Sequence, residues 1–140
     1  LLCLYTGAGA ILGHNYPFFL KFKGGKGIAA TAGMVLSFHP WFILTGVLLF
    51  FIPFFTLHYV SLGSLLVYAG LMVQLVIFGQ NGLLFQEMTQ GQLIEMYIVF
   101  GCLMVMAYWK HRENIKRLLH GKERKTYLTK KNKVETEGKE

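Results

Sequence analysis

The chain contains no aspartate, and its seven acidic residues are all glutamates, five of them at or beyond Glu113. A Ser-His-Asp arrangement is therefore excluded, because the residue that would orient the histidine is missing. Cysteine is nearly as scarce. Cys3 and Cys102 both sit in apolar runs, too few for a disulfide framework or a zinc site, and are expected to face lipid or to pack between helices. His14, His39, His58 and His120 show no metal-ligand spacing, so no metal site is expected from them. Lysine and arginine are absent from Gly27 through Trp109. An initiator methionine is absent too: the chain opens on Leu1, and no basic residue precedes the apolar run Leu1 to Leu12, which fits a signal peptide badly. The reading is that of a piece of a longer protein.

What remains is largely apolar. Hydrophobic residues make up 54% of the chain and mean hydropathy is +0.44, with charge confined to one loop and the C-terminal end, the distribution of a polytopic membrane protein. A formal charge of +7 would point to nucleic acid in a soluble domain. Here eleven of the fourteen basic residues lie at or beyond Lys110, where the positive-inside rule accounts for them, and no nucleic-acid partner is expected.

Four apolar runs follow the opening segment: 28–38, 42–57, 60–79 and 93–109. Leu1 to Leu12 reads as the end of a membrane helix, with Gly7, Ala8, Gly9 and Ala10 giving a smooth packing face. His39-Pro40 separates the first two later runs, Trp41 stands where an interfacial aromatic would, Pro53 is expected to kink its helix, and His58-Tyr59 marks a turn. Residues 80–92 read as a loop. The two basic clusters, Lys21 to Lys26 and Lys110 to Lys125, should lie on one side, so an even number of crossings must separate them. Four runs satisfy that if the first is a short or tilted crossing. The fold expected is an all-α integral membrane bundle with about five helices over 1–121, followed by a cationic, disordered tail over 122–140.

Three pieces can carry chemistry. The loop Lys23-Gly24-Gly25-Lys26-Gly27, opening a helix-compatible run, offers backbone N–H groups, a positive helix end and ammonium groups to a phosphate. It is not a Walker loop, since Gly27 follows Lys26 where Ser or Thr is needed. The plain alternative is a tight turn with topogenic lysines. In a helix continuing past Trp109, His111 and Asn114 share a face and can reach one ligand; the alternative is a basic helix whose cations snorkel to lipid phosphates. Ser61 and Ser64 start a span on the same side as both clusters, where hydroxyls hold a polar ligand or simply allow helix contact. Glu95 and Gln74 are polar residues inside spans, and Glu95 falls on the far side.

Read together, GHNYPFFLKFKGGKGIAAT from Gly13, YVSLGS from Tyr59 and HRENIKRLLHGKE from His111 resemble the second and third signature blocks, with the segment between, of the bacterial membrane acyl-phosphate:glycerol-3-phosphate acyltransferases. The likeness runs from residue 1 to about 123, and the family's first block, a Gly/Ser/Asn-rich loop with an arginine, would precede Leu1. The resemblance implies a seven-helix enzyme of the cytoplasmic membrane, its site on the cytoplasmic face. It would pass a fatty acyl group from acyl phosphate to the 1-hydroxyl of glycerol 3-phosphate, giving lysophosphatidic acid and phosphate. Its partners would be those two substrates and membrane lipids, and a chain lacking the first block is expected to be inactive alone.

Carried over by motif, Lys23, Gly24, Gly25, Lys26 and Gly27 would hold substrate phosphate. Ser61, His111 and Asn114 would line the glycerol 3-phosphate pocket, with Arg117 and Glu123 supporting the helix end. His111 and Ser61 are the candidate catalytic residues. Missing aspartate also excludes the His-x4-Asp pair of the other glycerolipid acyltransferases. Acyl phosphate is an activated mixed anhydride, so the resemblance implies that positioning and oxyanion stabilisation suffice without a covalent nucleophile, a metal, coenzyme A or any other cofactor. The hydroxyl proton would go to His111 or to a substrate phosphate oxygen, the latter favoured because nothing in the sequence visibly holds His111 as a base. The competing reading is a non-enzymatic membrane protein, an organic-phosphate transporter or lipid-binding scaffold; a transporter should carry internal repeats, and none is visible.

Overall fold

In the computed structural model, which describes residues 1–83 and 87–127, six α-helices follow one another: α1 Leu2–Asn15, α2 Ile28–Leu36, α3 Pro40–Leu57, α4 Val60–Gln80, α5 Gln90–Lys110 and α6 Arg112–Leu119. The middle of the expected 80–92 loop and the tail from residue 128 lie outside the described residues. Three helices, α3, α4 and α5, are long and apolar enough to cross a membrane. The chain is an all-α, multi-pass integral membrane protein.

Local chemistry accounts for the helix ends. Pro40 occupies the first turn of α3, where its missing N–H costs nothing, and the His39 side chain accepts from the Trp41 N–H. His58 ends α3 in the left-handed region, at φ +60°, which makes the turn into α4. Thr89 and Gln92 form a reciprocal capping box, so α5 begins three residues before the apolar run that announces it. The signature Thr-x-x-Gln was there to be read; the polarity of the segment hid it.

Helices associate here by close approach, since lipid removes the hydrophobic drive that works in water. The α3–α4 pair shows it: a Cβ on Gly63 would lie 2.7 Å from the Phe50 carbonyl oxygen, and one on Gly70 would strike Leu49. Gly7 on α1 likewise accommodates Met34 of α2, whereas Gly9 faces open space, so only half the expected smooth face is used. Phe42, Tyr68, Leu71, Leu75, Phe100 and Leu103 are buried among the helices. Ile98, Val105 and Phe55 stay exposed, as do Cys3 and Cys102, on faces suited to lipid.

Helix α2 is shorter than the apolar run behind it: nine residues, ending at Leu36, span about 13 Å at 1.5 Å each. A turn at 37–39 then reverses the chain. Gln74 donates to the Trp41 carbonyl at 3.2 Å, so this turn sits about 21 Å along α4 from Val60. The α2–α3 pair thus descends from one end of the bundle and returns to it, bringing the lysine loop, the start of α4 and the end of α5 together, although α2, expected as a short crossing, is not among the three helices long enough to span a membrane. Glu95 lies well away from this end and accepts a hydrogen bond from Tyr5.

Candidate functional site

The first wall is the segment between α1 and α2. Helix α1 runs to Asn15, three residues past the expected boundary, because the helix end is tied down: Lys110 Nζ donates to the Asn15 carbonyl at 3.0 Å and rests 4.0 Å above the Tyr16 ring. After Pro17 a 3₁₀ turn, Phe18–Leu20, leads into Lys21 and Phe22, both with positive φ. The returning strand then lies directly on the end of α1. Gly25 N–H donates to the His14 carbonyl at 3.2 Å; a Cβ on Gly24 would collide with that same carbonyl, and one on Gly25 with the His14 ring. His14 shapes the loop, as its position suggests. Gly27 adopts φ +78° at the N-terminus of α2, the left-handed conformation that glycine takes without strain, and a Cβ there would meet Asn15 Oδ1 at 2.8 Å. The loop glycines are therefore explained by packing, and Lys23 stays exposed on the loop.

The second wall comes from α5 and α6. A helix continuous through His111 was expected; instead the backbone breaks there, at φ −96° and ψ 6°, and α6 restarts at Arg112. Both His111 and Asn114 are nonetheless buried. His111 Nδ1 lies 2.8 Å from the Ala107 carbonyl oxygen, which can only accept, so Nδ1 carries a proton, and in the neutral ring Nε2 is the acceptor. Burial pulls the His111 pKa below 6.5, with the neighbouring Lys26 acting in the same direction, against the Ala107 hydrogen bond and the Glu123 charge.

At the centre is Glu123, whose side chain is 4% exposed. Its Oε1 accepts from Ser61 Oγ at 2.9 Å and from Asn114 Nδ2 at 2.6 Å, and its Oε2 from Arg117 Nε at 2.9 Å. Lys26 Nζ donates to Asn114 Oδ1 and so joins the same network. Burial raises the Glu123 carboxyl, but the hydrogen bonds from Asn114, Ser61 and Arg117 outweigh it and hold the group below 4.5. Burial depresses Lys26, against the attraction of Glu123. Three of the expected binding residues, Ser61, Asn114 and Arg117, thus meet on one carboxylate that the sequence assigned only a supporting role. Ser64 turns back to the Val60 carbonyl.

Two features escaped the sequence reading. Asn15 is fully buried, its amide donating to Met106 sulfur at 3.8 Å while Oδ1 has no hydrogen-bond partner among the described residues. Next to the network, an apolar groove of about 440 Å³ runs between α2, α3 and α4. Thr31 and Ser64 lie at its polar end, Val35, Leu36 and Ile43 deeper, and Thr31 is hydrogen-bonded to Tyr68. An asparagine closing an apolar run just before Tyr-Pro was the one available signal for the first. The groove has none, since it is made by three helices.

A helical membrane protein with a hydrogen-bonded cluster of Lys26, Ser61, Asn114, Arg117 and Glu123 at one end and an apolar groove beside it is the class that the fold defines. The chain belongs to the glycerol-3-phosphate acyltransferase family, whose pattern it matches over residues 1–121. It is 37% identical to a glycerol-3-phosphate acyltransferase of Thermosipho melanesiensis, covering 88% of this chain and 54% of that protein. With glycerol-3-phosphate acyltransferase 2 of Lactobacillus acidophilus the identity is 38%, over 84% and 49%. A crystal structure of PlsY, described as an integral membrane glycerol 3-phosphate acyltransferase in its glycerol 3-phosphate form, superposes with a TM-score of 0.69 at 35% identity, over 89% of this chain and 56% of that one. A lysophosphatidic acid form of the same enzyme superposes with a TM-score of 0.68. The chain spans about half the length of the curated relatives it matches.

Proposed function

We propose that the protein carrying this chain transfers a fatty acyl group from acyl phosphate to the 1-hydroxyl of glycerol 3-phosphate, giving lysophosphatidic acid and inorganic phosphate, at the cytoplasmic face of the cell membrane. One observation carries the reading: Lys26, Ser61, Asn114 and Arg117 converge through Glu123 at the end of the bundle where His111 is buried and the apolar groove opens. Family membership and the two ligand forms of the PlsY structure support it.

The division of labour follows from the chemistry. Lys26 and Arg117 supply positive charge to bring two phosphate-bearing substrates together. Each keeps N–H donors beyond those spent on Asn114 and Glu123. The loop glycines Gly24, Gly25 and Gly27 let the loop fold closely onto the end of α1 and so bring Lys26 to Asn114, while Lys23 stays on the exposed side of the loop. Glu123 orients Ser61, Asn114 and Arg117 so that they meet glycerol 3-phosphate already aligned, which spares the entropy of ordering them during reaction. The acyl chain lies in the groove between α2, α3 and α4.

The hydroxyl oxygen attacks the acyl carbon, the bond from that carbon to the phosphate oxygen breaks, and phosphate leaves with the bonding electrons. His111 Nε2 takes the hydroxyl proton; a substrate phosphate oxygen is the alternative acceptor. The Ala107 carbonyl provides the hold on the imidazole that the sequence did not reveal, and burial keeps the ring neutral and able to accept. Purified full-length protein in detergent, given acyl phosphate and glycerol 3-phosphate, should release phosphate without coenzyme A. A folded sample that releases none would favour a non-enzymatic membrane protein instead.

A further inference from the structure

We propose that Thr126 and Tyr127 form a latch that fixes how Glu123 enters the site, an inference that rests on the function proposed above. Glu123 lies beyond the last helix, in a segment whose composition reads as a solvated tail, yet it is the acceptor on which three side chains of the site, from α4 and α6, converge. What holds it there is visible on both sides of it.

On the N-terminal side, α6 closes with a Schellman motif. Gly121 sits at φ +65°, its N–H donates to the Leu118 carbonyl at 3.1 Å, and the Lys122 N–H donates to the Arg117 carbonyl at 2.8 Å. The chain reverses there and points Glu123 back toward Asn114 and Arg117 of α6. On the C-terminal side, the Thr126 N–H donates to the His58 carbonyl at 2.8 Å, and the Tyr127 ring packs 4.7 Å from the His58 ring, centroid to centroid.

His58 is the cap of α3 and stands three residues before Ser61, which itself donates to Glu123. A closed circuit results: His58 to Ser61 along the chain, Ser61 to Glu123 by hydrogen bond, Glu123 to Thr126 along the chain, and Thr126 back to His58. With the latch open, Glu123 is anchored from one side only, and a buried carboxylate so released gains hydration by swinging out. Ser61, Asn114 and Arg117 then lose their common acceptor, and Lys26 loses a fixed Asn114 partner. Thr126 and Tyr127 are positioning residues: they act on substrate through Glu123.

Two truncations of the full-length enzyme differ only in the latch. Stopping after Tyr127 should leave the kinetics at the wild-type level, whereas stopping after Lys125 should raise KM for glycerol 3-phosphate about tenfold with KM for acyl phosphate little changed. Tyr127→Ala should behave like the shorter truncation and Tyr127→Phe like wild type, because the contact is made by the ring. A reading independent of activity comes from His58→Cys paired with Tyr127→Cys, in full-length protein otherwise freed of cysteine, which a short bifunctional thiol reagent should cross-link. Wild-type kinetics in the protein ending at Lys125 would overturn the latch whether or not the cross-link forms. An inactive wild-type enzyme would overturn the proposed function instead, and the latch would then stand or fall on the cross-link.

Discussion

Replacing Glu123 with glutamine probes the centre of the site with the smallest change in shape. The two acceptor oxygens are unequal: Oε1 serves both Ser61 and Asn114, and Oε2 serves Arg117. Glutamine keeps one oxygen, enough for Ser61 and Asn114, but turns an N–H toward the Arg117 Nε–H. The two retained bonds fall from the charge-assisted range, about 1.5–3 kcal/mol, toward the neutral one of about 0.5–1.5 kcal/mol. The lost Arg117 pair counts for less than a buried one, since that side chain is 37% exposed and can turn to water. A total of about 2–4 kcal/mol at neutral pH follows. Thermal unfolding in detergent, followed from pH 7 down to pH 4, would read it.

The pH dependence has a definite sign. Because the folded-state value of Glu123 lies below 4.5, the unfolded chain takes up the proton first as pH falls. The stabilisation is complete above that range and drains away as pH drops through 4.5 toward the lower folded value. The gap between wild type and Glu123→Gln should therefore be widest at neutral pH and close in acid. Equal melting temperatures at pH 7, or a gap that stays constant into acid, would refute the reasoning.

Other expectations are sharper in direction than in size. Gly24→Ala should cost about 1–3 kcal/mol and more than Gly25→Ala, because the first meets the backbone carbonyl of His14 and the second the movable end of its ring; denaturation of the two variants side by side decides it. If His111 is the base, the acid limb of kcat/KM falls below pH 6.5, reflecting the burial that lowers its pKa, and the limb vanishes in His111→Gln. Loss of rate in that variant with unchanged glycerol 3-phosphate affinity supports the base role; loss of affinity alone transfers the proton to a substrate phosphate oxygen. Lys26→Met should raise KM for glycerol 3-phosphate at least about tenfold, whereas Lys21→Met, on an exposed lysine away from Asn114, should leave it near wild type.

Much of the fold was legible because membrane helices announce themselves by length and apolarity, and because the positive-inside rule expects the two basic clusters that flank the Lys/Arg-free interval from Gly27 to Trp109 on one side. The site was legible as three pieces for the same reason. What hid was tertiary. The apolar run ends at Leu12, yet α1 continues to Asn15, whose carbonyl Lys110, far along the chain, fastens. His111 sits in helix-forming sequence, and its break shows only in the backbone angles. Glu123 is one acid among several in a cationic stretch, and its importance comes from donors at positions 61, 114 and 117 that no spacing rule connects.

Glycerol 3-phosphate binding by calorimetry, with full-length protein in detergent, compares the two ends of the bundle most directly. Ser61→Ala and Asn114→Ala should each weaken binding about tenfold or more, while Glu95→Gln, at the Tyr5 contact away from the site, should bind as wild type does. Equal affinities across all three variants would contradict a substrate pocket at the Lys26, Ser61, Asn114 and Arg117 cluster.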